Sequence, residues 1–256
     1  MKPAISNVNP EVFDISSNTI DVYLPHHEIV TIRERNGEDE GILSRMEDFQ
    51  SGIAIPKFLA AIIEGPKKYT AQEIQAWPIR SKYYLMYKER MWQYGPLVNW
   101  EQPFEFQGTE FKVPYEENID WFDRDLAKGQ EVEKKGQIIA YPKDKKNITF
   151  TTASGKNTRM EFLTGAAEVM LMESKPVGEL NINDRFKIRN FELQDKNGVW
   201  HKLQMFNMLS AKDMTELRNH LEVADPEFNL NVTVKNPKSQ ETSQVSLMQL
   251  IDFFFQ

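Results

Sequence analysis

The residues able to do chemistry in this chain are not spaced to suit it. There are four histidines, His26, His27, His201 and His220. His26 and His27 follow Pro25, and adjacent residues of an extended segment point to opposite sides, so the pair does not share one ion. Both read as solvated loop side chains. His220 lies four positions after Glu216, the spacing of an exposed helix face, and a zinc site there needs a third ligand that no nearby residue supplies. His201 follows Trp200 and has no spacing partner. None is assigned as a metal ligand.

Asp120, Asp123 and Asp125 are spaced somewhat like calcium-loop ligands, but the glycine and closing glutamate of that loop are missing, so they read as a solvated acidic turn opening a helix. Thr151-Thr152-Ala153-Ser154-Gly155-Lys156 lacks the first glycine of a phosphate loop and the hydroxyl after Gly-Lys. It lies between two strand candidates and reads as a hairpin turn. No Gly-x-Ser-x-Gly elbow occurs. The chain has no cysteine, which excludes disulfides, thiol nucleophiles and thiolate zinc sites. The resulting expectation is a protein that is not an enzyme and carries no cofactor and no metal.

The elements that would position any site follow from hydrophobic pattern and turn residues. Ile20–Pro25 alternates like an edge strand ending at proline, and Ile29–Arg33 is a second β-rich run. Asn36-Gly37 reads as a turn, with Glu38-Asp39-Glu40 opening a helix through Phe49. Ala54 to Ile63 is helical, stopped by Gly65-Pro66. Thr70 with Glu73 forms a capping box. Pro78 breaks the helical region, and Ile79 to Met91 continues it to Gly95-Pro96. The pattern turns β from Phe104 to Val113 around Gly108, and 138–141, 148–151 and 159–162 are further strands. Leu163 to Met172 reads as a buried helix. Asp195-Lys196-Asn197-Gly198 is a hairpin turn, Ser210 and Asp213 cap a helix carrying Met214, Leu217 and Leu221, and Leu230 to Val234 is a strand. The fold class expected is α+β, with a mostly helical N-terminal half and a mixed strand and helix C-terminal half with short hairpins. Residues 1–19 are expected as an extended arm, 20–103 as a mainly helical domain and 104–256 as an α+β domain.

Of the 256 residues, 40% are hydrophobic and 27% charged, enough apolar material for a sizeable core. The net charge is −7 and no long basic block appears, which argues against nucleic acid as the main partner. Neither a signal-length apolar run nor the ~18-residue apolar stretch of a membrane helix is present, so a soluble cytosolic protein without a membrane partner is expected. Near the C-terminus, Leu247, Leu250 and Ile251 precede Phe253-Phe254-Phe255. Three adjacent rings cannot all face one core. Two readings stand: partial burial at the edge of the chain's own core, and an anchor for a neighbouring subunit.

The order of several signals resembles a known family. Leu24-Pro25, Thr31-Ile32-Arg33-Glu34, Glu38-Asp39-Glu40 with Ile42-Leu43, Lys57-Phe58-Leu59 and Ala61-Ile62-Ile63 resemble the opening of the baseplate-hub and tail-assembly family of T-even-like contractile-tailed phages. Tyr83-Tyr84-Leu85 with Arg90 and Gly95 continues the likeness, as do Leu209, Asp213, Leu217-Arg218, Asp225-Pro226 and the terminal phenylalanines. The resemblance implies a virion structural protein of the tail baseplate or hub. Such a protein would bind other tail proteins within a symmetric multi-subunit assembly, after assembling in the host cytoplasm. An assembly chaperone absent from the finished particle is the alternative. The resemblance also implies two Cys-x-x-Cys knuckles. Their places here are Gln107-Gly108-Thr109-Glu110 and Asn236-Pro237-Lys238-Ser239, with Gln107, Glu110, Asn236 and Ser239 at the Cys positions. Amide and hydroxyl groups are poor zinc ligands, so this lobe is expected to hold together through turn hydrogen bonds and apolar packing.

Overall fold

The computed structural model describes residues 18–26, 28–45, 47–48, 51–122, 131–134, 137–140, 146–174, 189–202, 209–224 and 231–247. Among these, helix and strand take near-equal shares, 35% and 36%. The expected mostly helical N-terminal half is therefore corrected: strands run through it alongside the helices.

The chain opens with β1 (Thr19–Tyr23) and β2 (Ile29–Arg33), antiparallel with Val22 opposite Val30. Then α1 (Gly37–Leu43) begins at Asn36, which is an N-cap rather than a turn residue: its side chain accepts from the Glu38 and Asp39 amides. Next, α2 (Ala54–Ile62) leads directly into β3 (Ile63–Glu64), where Ile63 pairs with Ile32 and completes a three-stranded sheet in the order β1-β2-β3. A run of apolar residues here hides the change from helix to strand, because both states bury it equally well. The capping box of Thr70 and Glu73 starts α3 (Ala71–Gln75), and α4 (Ile79–Tyr94) begins immediately after Pro78.

The largest difference from the sequence reading comes after Gly95. There β4 (Leu97–Phe106) and β5 (Thr109–Asn118) form one long antiparallel ribbon. It starts well before Phe104, because Val98 and Trp100 are buried while Leu97, Asn99 and Glu101 face outwards. That two-residue alternation is a strand signature, and the scattered polar residues obscure it. β4 runs unbroken through Pro103-Phe104, where a second domain is expected from the sequence.

Beyond the ribbon, β6 (Glu131–Lys134) pairs with β7 (Gln137–Ala140), and β8 (Asn147–Thr151) with β9 (Asn157–Glu161). After α5 (Gly165–Ser174), β10 (Glu192–Gln194) and β11 (Trp200–Lys202) extend a four-stranded sheet in the order β11-β10-β9-β8. Last come α6 (Ala211–Ala224) and the ribbon of β12 (Asn231–Lys235) with β13 (Thr242–Ser246).

Two cores result. The first draws Val22, Ile32, Phe58, Leu59, Leu85, Val98 and Ile119 from the N-terminal half, and then Val232, Val234 and Leu247 from the other end of the chain. The second gathers Ile148, Met160, Phe162, Phe191, Leu209 and Leu217. The C-terminal ribbon thus returns to the first core after the chain has built the second.

Candidate functional site

The densest chemistry lies around α4, a helix whose buried residues include Arg80, Lys82, Glu89 and Arg90. Arg33, on β2, grips Asp39 through both terminal nitrogens at 2.7 and 2.9 Å and donates to the Ala61 carbonyl at 3.0 Å. The same carboxylate accepts the Asn36 amide at 2.8 Å, so one acid closes a capping box and an ion pair together. Two residues along the chain, Arg35 pairs with Glu89 at 3.4 Å and leans over the Tyr94 ring, while Tyr94 donates to Glu40. Arg90 donates to the carbonyls of Gly95 and Leu97, fixing where α4 ends and β4 begins. Burial raises the Glu89 carboxyl to about 7 against the opposing pull of Arg35 and Arg90.

A second cluster joins the two cores. Burial lowers the Lys82 ammonium, whose Nζ lies 3.6 Å from Glu168, and Tyr83 donates to the same carboxylate at 3.3 Å. A lysine lowered this way has the chemistry of a base or nucleophile, and only 3% of its side chain is exposed. Gly165 explains the closeness: a Cβ there would lie 2.8 Å from Lys82 Nζ and 3.0 Å from the Gln75 carbonyl. The Ile79 amide donates to Leu163, and the Gly165 amide to Trp77.

The third cluster docks the β8–β9 turn on α6. Asp213 and Ser210 exchange capping bonds, and Asp213 also accepts from the Ser154 amide and hydroxyl. Burial opposes ionisation of Asp213, but hydrogen bonds from Ser154, Ser210 and Thr152 outweigh it and hold the carboxyl well below its usual range. Glu216 accepts the Ala153 amide at 2.5 Å. Thr151 to Lys156 is thus a hairpin turn, closed by Thr152 and Lys156.

The histidines are placed differently from expectation. His26 is buried, 3.3 Å from Glu28 and packed against Trp77, and is not a solvated loop residue; His27 lies outside the described residues. His201 does have a partner, Asp195 at 2.9 Å. His220 stacks on Phe150 at 3.9 Å, while its expected partner Glu216 is buried against the β8–β9 turn. Asp120 is exposed, and Asp123 and Asp125 lie outside the described residues, as do Phe253, Phe254 and Phe255. Among the described residues no three metal-ligating side chains converge.

The two turns at the knuckle positions lie together, although more than a hundred residues separate them. Gln107 and Gly108 form the two-residue β4–β5 turn, both with positive φ (52° and 73°). In the other turn, Asn236 accepts from the Lys238 and Ser239 amides and donates across to the Glu105 carbonyl at 3.3 Å. Lys238 sits 4.1 Å over the Phe111 ring, and Ser239 donates to Glu241. These donors suit zinc poorly, since Asn236 and Ser239 are already engaged within and across the turns.

Sequence reading missed Arg35, Lys82, Glu89 and Glu168, and placed Arg90 only among the positions of the family resemblance. The one signal for Lys82 and Glu89 was charge set among the apolar positions of α4; Arg35 and Glu168 lie outside that helix. Comparison with known proteins adds nothing to this: no family model, no curated protein and no solved structure matches the chain.

Proposed function

We propose that this chain is a non-enzymatic structural component of a contractile-tail baseplate or hub, working by binding other tail proteins. One observation carries the reading. The positions of the N-terminal half that resemble the baseplate-hub family form one scaffold: Leu24, Ile32, Leu43, Phe58, Leu59, Ile62, Ile63 and Leu85 are core residues at 0–1% exposure. Between them, Arg33 binds Asp39, Tyr94 binds Glu40 and Arg90 binds the Gly95 carbonyl. Charge used in this way holds elements in register, which supports the role of a building block.

Mass spectrometry of purified phage particles tests it. A fixed copy number per particle supports a permanent subunit. Presence only in unfinished tails indicates the assembly chaperone instead, and absence from both sinks the tail reading.

A further inference from the structure

The β12–β13 ribbon has two edges with different fates. The Asn236 amide donates to Glu241 at 2.8 Å, so that pair and each alternate pair along the ribbon is hydrogen-bonded, while the pairs between turn their backbone groups outwards. Lys235 agrees with this parity: its outward amide donates to the Tyr115 phenol at 3.2 Å, and its carbonyl accepts from that phenol at 2.6 Å. The outer edge of β12 is thereby held to β5 at Lys235. On β13 the same parity turns out the backbone groups of Thr242, Gln244 and Ser246, and among the described residues nothing pairs with them.

Several other edges carry protection that β13 lacks. Pro103 pairs with Lys112 and Pro114 with Glu101. Having no N–H, each proline sits at a non-hydrogen-bonded position and strips an outward donor from β4 or β5. β11 is only three residues long and ends in Lys202, and β1 has Asp21 at its centre. β13 reads Thr-Ser-Gln-Val-Ser, without proline, charge or break in register.

We propose that β13 pairs antiparallel with β13 of a second copy of this chain, centred on Gln244, to join two ribbons in a four-stranded sheet about a two-fold axis. The register and the lack of charge suit a second copy. Centring on Gln244 sets Gln244 against Gln244 and Thr242 against Ser246, so outward residues meet only outward residues and each pair exchanges both N–H···O bonds. Ser243 then faces Val245, and no like charges meet. Self-pairing of β1 about its centre would instead set Asp21 against Asp21. This inference does not rest on the tail reading.

Sedimentation of the full chain over a range of concentrations reads the dimer directly. The expected result is a dimer that dissociates on dilution. Gln244→Pro removes the outward donor while sparing every β12–β13 ladder bond, and is expected to weaken association by roughly tenfold or more with unchanged circular dichroism. Because the chain has no cysteine, Gln244→Cys provides a single reporter. A short bis-maleimide should crosslink it into a dimer, but not Val199→Cys, whose native side chain is 52% exposed near the second core. A chain that stays monomeric without a Gln244→Cys crosslink overturns the proposal, as does a dimer that survives Gln244→Pro; if the proline variant does not fold, the crosslink decides alone. Crosslinking of Gln244→Cys only to a different protein also overturns it.

Discussion

Arg35 and Glu89 form an ion pair shut off from water, 3.4 Å apart with 1% of each side chain exposed. It ties the segment after β2 to α4, and through the adjacent Arg90 to the start of β4. The pair sets a pH dependence. Glu89 rises from 4.5 to about 7 because burial penalises its charge. The folded state therefore holds this proton over a pH range in which the unfolded chain has released it, and stability falls as pH climbs from about 4.5 through 7. The displacement corresponds to about 3 kcal/mol. Thermal unfolding between about pH 5 and pH 8 should show a falling melting temperature, and Glu89→Gln should flatten that slope.

Removing the other partner has a larger effect. Arg35→Leu leaves the Glu89 charge buried without its counter-ion and is expected to cost about 3–5 kcal/mol at pH 8, less at pH 5, where Glu89 is protonated. Urea unfolding at both values checks this. An equal loss at each pH would show that packing over Tyr94, and not charge, holds Arg35.

Asp213 has the opposite sign. Its folded carboxyl is held below the ordinary value of 3.8, so its contribution is full above that value and fades as pH falls below it. At neutral pH, Asp213→Ala loses the α6 cap and the tie to Ser154 together, an expected cost of about 2–4 kcal/mol. Amide exchange should quicken in Thr152–Lys156 ahead of the first core.

Gly165 is required for space and not for backbone conformation. Gly165→Ala pushes a methyl group against Lys82 Nζ and the fixed Gln75 carbonyl, an expected cost of about 1–3 kcal/mol. The control is Gly41→Ala, where nothing lies within 4 Å of the added carbon, and it should be neutral or slightly stabilising. Chemical denaturation of the two variants separates them.

If hydrogen bonds do the knuckles' work, Asn236→Ala should cost about 1–3 kcal/mol, and neither added zinc nor a chelator should shift the melting temperature of the native chain. A zinc-dependent rise in melting temperature would count against the hydrogen-bonded lobe.

Local chemistry marked out much of this protein. Thr70 with Glu73 capped a helix, Pro78 started the next one, and the alternation at Ile20–Pro25 and Ile29–Arg33 marked β1 and β2, because caps, fixed φ angles and two-residue periods act within a few residues. The long β4–β5 ribbon was only half legible, since Gln102 interrupts the apolar face that Val98 and Trp100 begin. What no local rule could supply were the partnerships across the chain: Arg35 with Glu89, Lys82 with Glu168, Asp213 with Ser154 and Asn236 with Glu105. A charged side chain is read as exposed until the fold buries it against a particular opposite charge. Only packing sets which distant residue stands there, and it also brings the turns at 107–110 and 236–239 together.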